Sequence, residues 1–174
     1  TVAWLNRQTR QQAELRLWEL MEYNIQACQL LIERVGTLPL EQRMLRLSSD
    51  ILPAFTEPTW RSFWQQSDVQ ARAAWLFKQA GDAARLYNVR LSFHPGQFCV
   101  LASENDDIVE RSIEEFEYHA TMAAWMGFGR QFQDYKINVH IAGRRGPAGI
   151  RAVYSRPTPE ARKCITIENE EITY

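Results

Sequence analysis

The sequence predicts an α/β fold in which parallel strands alternate with helices and curve into part of a (β/α)8 TIM barrel. Three observations predict it. Four short β-prone segments are separated by helical stretches, the order expected of βα units. Each segment alternates apolar and polar residues, whereas parallel strands covered on both faces usually read as continuous apolar runs. The length of 174 residues can bury a sizeable core, yet it falls short of the ~250 that a complete eight-stranded barrel typically needs.

The elements follow in chain order. Trp18, Met21, Ile25, Cys28, Ile32 and Val35 recur at helical spacing, which predicts a helix over 9–35 with Gly36 as its stop signal. A short strand covers 44–49. Pro53 and Pro58 make 50–60 a loop. Good helix formers, with Ala71, Ala74, Trp75, Phe77, Lys78 and Ala84 among them, predict a helix over 68–87. A strand over 89–94 ends at Pro95-Gly96. Ser103-Glu104-Asn105-Asp106-Asp107 is rich in N-cap residues and introduces a helix over 108–126. A strand over 137–141 ends at Ala142-Gly143, a weak helix lies around 148–154, and the last strand is 164–168. No low-complexity or linker-like stretch interrupts the chain, so residues 1–174 read as a single incomplete barrel domain. The chain begins with Thr1 rather than Met, and no helix follows the last strand. Both ends are therefore expected to lie inside a longer fold.

Alternate strand residues point to opposite faces. Leu45 and Leu47, Leu91 and Phe93, Ile137, Val139 and Ile141, and Ile165 and Ile167 form an apolar face suited to a helical cover. Arg46 and Ser48, Arg90, Ser92 and His94, Asn138 and His140, and Thr166 and Glu168 form a polar face. A one-sided polar sheet is usually an antiparallel hairpin structure, but helical crossovers separate these strands, so a closed barrel with a polar lumen fits better. His94, His140 and Glu168 are then the last lumen-facing residues of three successive strands, at the end where such barrels carry their sites. Two imidazoles and a carboxylate suit zinc or manganese, and a carboxylate such as Glu168 can bridge two ions in a phosphodiesterase centre. A lone strand-end histidine is usually structural; the coincidence of residue type, face and strand position is what points to metal. His119, in the middle of a helix, is expected to be structural.

Composition bounds the rest. The net charge of −1 lacks the basic excess of a protein that coats DNA, although a nuclease can gather positive charge locally or as bound ions. Cys28, Cys99 and Cys164 are widely spaced and odd in number, which suggests a reducing compartment. No apolar run reaches the roughly 18 residues of a membrane span, and the opening residues are too short for a signal segment, so a cytoplasmic location without membrane partners is expected.

The segment Arg90-Leu91-Ser92-Phe93-His94-Pro95-Gly96-Gln97-Phe98 resembles the signature of UV damage endonucleases. The resemblance continues through Val109-Glu110-Arg111-Ser112-Ile113, Tyr118-His119-Ala120, Asn138-Val139-His140-Ile141-Ala142-Gly143 and Ile167-Glu168-Asn169-Glu170-Glu171, and Arg46-Leu47-Ser48-Ser49-Asp50 looks like the family's second strand. These ordered blocks, covering essentially the whole chain, are far more specific than the HPGQ tetrapeptide. The resemblance implies a TIM barrel holding a cluster of divalent metals, manganese first with zinc or magnesium as alternatives. It also implies a damaged double-stranded DNA substrate, nicked 5′ to UV photoproducts and other lesions. His94 and His140 correspond to metal ligands, and Glu168 to the catalytic carboxylate that bridges metals. Gln97 and Phe98 correspond to a pair that probes the duplex opposite the lesion. Arg144 and Arg145 are the candidate phosphate contacts.

Three departures from the family pattern follow. Its first barrel strand would precede Thr1. Glu57 stands where relatives often place a histidine near the metals. Further ligands of the family lie beyond the last strand, so the 174 residues alone are expected to hold one ion at best and to nick DNA weakly or not at all. The alternative chemistry on such a barrel is a metal-dependent sugar isomerase or epimerase; salt-sensitive binding to duplex DNA is expected of the nuclease and not of the isomerase. Unpaired edges of an incomplete barrel are also expected to promote self-association.

Overall fold

The computed structural model describes residues 1–96, 98–141 and 143–168. A short helix α1 (Val2–Leu5) precedes the long helix α2 (Arg10–Val35). Thr9 starts α2 with a capping box: its hydroxyl accepts from the Gln12 amide, and the Gln12 side chain accepts from the Thr9 amide. Ala13, Leu17, Met21, Ile25 and Ile32 form the buried stripe. Gly36 ends the helix, but not through the left-handed conformation that the stop signal implies, because its φ is −62°. Glycine is required there by space: a Cβ would sit 2.6 Å from the Tyr87 Cβ.

The strand β1 (Met44–Leu47) is shorter than 44–49, because its ladder with the next strand ends at Leu47↔Phe93. The following loop is irregular as its prolines demand, yet Ile51, Leu52 and Trp60 are buried in it. A single helical turn α3 (Arg61–Trp64) lies where the sequence predicts none, followed by α4 (Ser67–Leu86) and β2 (Arg90–Phe93). Next comes α5 (Asp106–Trp125), begun by Asn105, whose side chain accepts from the Asp107 amide, and carrying Asp106 and Asp107 at the positive end of its dipole. The chain continues through β3 (Lys136–His140), α6 (Gly146–Val153), the turn α7 (Pro159–Arg162) and β4 (Ile165–Glu168).

The four strands form one parallel sheet in the order β1-β2-β3-β4. The expected division of faces holds. Leu47, Leu91, Phe93, Ile137 and Val139 are buried, while Arg46, Ser48 and Glu168 are exposed and Ser92, His94, Asn138, His140 and Thr166 are half-buried. The apolar cover thins toward β4, where Ile167 is 38% exposed. Helix α2 packs on α4, and α4 on α5. The second contact is close: a Cβ on Gly81 would lie 2.0 Å from the Met126 carbonyl oxygen, which accepts a hydrogen bond from Arg85 Nη1 at 2.9 Å. No helix among the described residues is long and apolar enough to cross a membrane.

His119 sits fully buried in α5, with its ring edge-to-face against Phe93 at 5.2 Å. Its Nδ1 is 2.6 Å from the Glu115 carbonyl oxygen, which can only accept, so the proton is on Nδ1. Burial, opposed by that hydrogen bond, pushes its pKa down to about 4. The folded state therefore resists protonation that the unfolded chain undergoes near pH ~6.5. Stability from this group is complete above that value and falls as pH drops from ~6.5 toward 4, by up to about 3 kcal/mol. Urea unfolding at pH 7 and pH 4.5 is expected to show this loss in the wild type, and a much smaller one in His119→Leu. Equal pH dependence in the two proteins would refute it.

Candidate functional site

The site grows out of strand register. Asn138 pairs with Thr166 and His140 with Glu168, which stacks two polar layers at the C-terminal end of β3 and β4. Phe93 pairs with Ile137, so His94 stands level with Asn138 at the tip of β2. Here the polar face closes into a cluster. His94 Nε2 lies 2.8 Å from Glu168 Oε2, His140 Nδ1 lies 3.9 Å from the same oxygen, and the two imidazole centroids are 4.6 Å apart at 72°. One potential ligand atom from each of the three residues falls within 4.8 Å of the others.

A six-coordinate ion with bonds of ~2.1 Å separates its ligand atoms by roughly 3 to 4 Å, so small side-chain rotations bring this set into one coordination sphere. Local hydrogen bonding suits that use. His94 Nδ1 is 3.0 Å from the Pro95 carbonyl oxygen, to which it donates, and Nε2 is thereby the nitrogen aimed at Glu168. The Ser49 hydroxyl donates to the His94 carbonyl oxygen at 2.9 Å and ties the loop after β1 to the tip of β2. Tyr118 holds that same loop, with its hydroxyl donating to the Ser49 carbonyl oxygen and accepting from the Leu52 amide. The Glu168 carboxyl lies below the usual carboxylate range, chiefly through its hydrogen bond from His94 and with smaller help from His140 and Arg46. It stays ionised, and so able to bind a cation, into mildly acidic solution.

The other sequence candidates divide. Phe98 is 86% exposed and lines a cleft of roughly 850 Å3 that Ser49, Asp50, Gly96, Cys99 and Glu115 also border. Gln97 lies outside the described residues. Arg144 and Arg145 occupy the loop after β3, as expected, but they face carboxylates: Arg144 Nη1 is 3.5 Å from Glu104, and Arg145 Nη1 is 3.0 Å from Asp106. Glu57 is engaged within its own loop, where it accepts from the amide and hydroxyl of Thr59, and it does not join the three-residue ligand group. Sequence reasoning missed the roles of Ser49 and Tyr118, whose long-range bonds leave no local signal. It placed Asn138 and Thr166 on the correct face without seeing that they bond to each other and that Asn138 bonds to Glu168.

Comparisons with known proteins bear on the family and the fold. The family model described as UV-endonuclease UvdE matches residues 1–174. A protein of Acanthamoeba polyphaga mimivirus is 31% identical over 138 residues, covering 76% of this chain and 40% of its own length. The UV DNA damage endonuclease of Bacillus velezensis is 29% identical over 136 residues, 75% of this chain and 40% of that one. The crystal structure of SacUVDE superimposes with a TM-score of 0.76 at 23% identity, covering 91% of this chain and 52% of that one. That likeness identifies the fold as TIM-barrel-like, and the chain spans about half the length, or less, of these relatives.

Proposed function

Since the chain belongs to the UV-endonuclease UvdE family, we propose that it contributes a divalent-metal site to a DNA-repair endonuclease that nicks the backbone 5′ to UV photoproducts. The observation that carries this reading is the gathering of His94, His140 and Glu168 ligand atoms within 4.8 Å at the strand ends. The donor set fits the group: two imidazoles and an ionised carboxylate suit manganese, with zinc or magnesium as alternatives. Bound there, a divalent ion supplies water activation and positive charge opposite a phosphate. His94 and His140 hold it through their ring nitrogens. Glu168 holds it through a carboxylate that can also bridge to a second ion, and it is the proposed catalytic residue.

The protein's own residues supply the rest of substrate recognition. Phe98 presents a ring to solvent beside the cleft, where it can stack against bases opened by a lesion; Gln97 is its proposed partner. Arg144 and Arg145 reach phosphates by leaving Glu104 and Asp106, an exchange that costs little because exposed ion pairs contribute ~1 kcal/mol or less. The family match favours this reading over the sugar isomerase.

Calorimetry of the chain with manganese tests the metal site: uptake of an ion is expected, and absence of uptake of manganese, zinc and magnesium would sink the reading. A duplex carrying a UV photoproduct tests the wedge. Phe98→Ala should weaken preference for the damaged duplex roughly tenfold, the scale of one lost base–aromatic stack, and leave undamaged-duplex affinity unchanged. An equal loss on both duplexes would remove Phe98 from lesion recognition.

A further inference from the structure

Beneath the three candidate ligands lies a second polar layer that explains how an exposed carboxylate is held still. Glu168 is a flexible side chain at a strand end, 44% exposed, and left alone it would sample many rotamers. Asn138 Nδ2 donates to Glu168 Oε2 at 3.0 Å. The ionised Glu168 carboxylate can only accept, so the Asn138 amide turns its NH2 group toward it and its oxygen toward Thr166. The Thr166 hydroxyl lies 3.1 Å from Asn138 Oδ1 and 3.4 Å from the Ile137 carbonyl oxygen. Donating its one proton to Oδ1 fixes that oxygen toward β4 and turns the NH2 group up toward the carboxylate. The register makes this possible: Asn138 and Thr166 are paired one layer below His140 and Glu168 and on the same face.

We propose that Asn138 is a positioning residue for Glu168, oriented in turn by Thr166, so that the Thr166–Asn138–Glu168 chain sets the affinity of the metal site. The proposal rests on the metal reading above and adds to it the determinant that aims the carboxylate. Asn138 does not touch the reacting atoms; it acts through Glu168. Glu168 Oε2 then lies within hydrogen-bond distance of both His94 Nε2 and Asn138 Nδ2. A bound ion would take the His94 nitrogen as a ligand, and Asn138 would keep its hold on the carboxylate oxygen.

The test measures manganese affinity calorimetrically on the full chain, with the thermal unfolding midpoint as a control. Asn138→Ala is expected to weaken binding tenfold to a hundredfold, the usual effect of removing a group that orients a metal ligand, with the midpoint little changed. Thr166→Val should weaken binding about fivefold, the equivalent of one hydrogen bond, and Thr166→Ser should restore it. Binding by Asn138→Ala within twofold of wild type, or Thr166→Ser behaving as Thr166→Val, would overturn the proposal. If the wild-type chain takes up no ion, the metal reading fails, and the positioning claim is decided by nuclear magnetic resonance of the ion-free chain. Glu168→Ala and Thr166→Val should each move the Asn138 side-chain amide signals toward those of a solvated asparagine. Signals indifferent to both substitutions overturn the claim.

Discussion

Glu168→Gln is expected to reduce manganese affinity by more than about a hundredfold while leaving the fold intact. The substitution keeps the side-chain volume and an oxygen that can still accept from Asn138 Nδ2, so neither packing nor the hydrogen bond accounts for the loss. What disappears is the negative charge, the only one among the three ligands. Neutral imidazoles bind divalent ions, but without the carboxylate's charge the site lacks compensation for the ion and offers only a weak amide oxygen beside the two imidazoles. Losing a ligand should exceed the tenfold to hundredfold effect of losing a group that merely orients one. Because Glu168 is solvent-exposed, the unfolding midpoint should hardly change. Titration calorimetry and manganese electron paramagnetic resonance read the affinity directly. Binding by Glu168→Gln within tenfold of wild type would mean that the ion, if bound, sits elsewhere.

The second large effect is on stability. Gly81→Ala is expected to cost at least about 3 kcal/mol, lowering the unfolding midpoint by roughly 10 °C. Alanine ordinarily stabilises a helix relative to glycine by ~1 kcal/mol, so helix propensity alone predicts the opposite sign. Space decides the matter. The added methyl would lie 2.0 Å from the Met126 carbonyl oxygen and 2.9 Å from its Cα, and backbone at the end of α5 cannot rotate out of the way as a side-chain tip could. Moving the helices apart would also loosen the bond from Arg85 to that carbonyl. Gly96→Ala is the control, since a Cβ there meets nothing within 4 Å, and it should change stability by no more than about 0.5 kcal/mol. Comparable thermal denaturation curves for the two variants would refute the packing argument.

These cases mark what was legible in the sequence. Strand faces were, because a two-residue period in Lys136–His140 maps directly onto inside and outside, and the histidines at the ends of β2 and β3 stand out against it. The long helices were, because buried stripes such as Leu17, Met21 and Ile25 repeat at four-residue spacing. Contacts set by helix packing were not: nothing in the sequence marks Gly81 and Gly36 reads only as a stop signal, yet both are glycine because Met126 and Tyr87 come too close for a side chain. The partners of Arg144 and Arg145 were equally hidden, since Glu104 and Asp106 lie about forty positions upstream. The short turn Arg61–Trp64 carries no period long enough to read, and its Phe63 and Trp64 are recruited by the core.

The register that brings Phe93 beside Ile137 and His140 beside Glu168 also limits how such a chain can grow or shrink in evolution. One residue inserted within Arg90–Phe93 would turn His94 into the helix layer and present Phe93 to the lumen, replacing a cation ligand with a benzene ring. The same insertion beside the exposed Glu104 would only lengthen a bend. Descendants of this gene are thus free to vary the rim, where the proposed contacts Phe98, Arg144 and Arg145 lie, while the staves beneath it tolerate residue replacement but not a change in count.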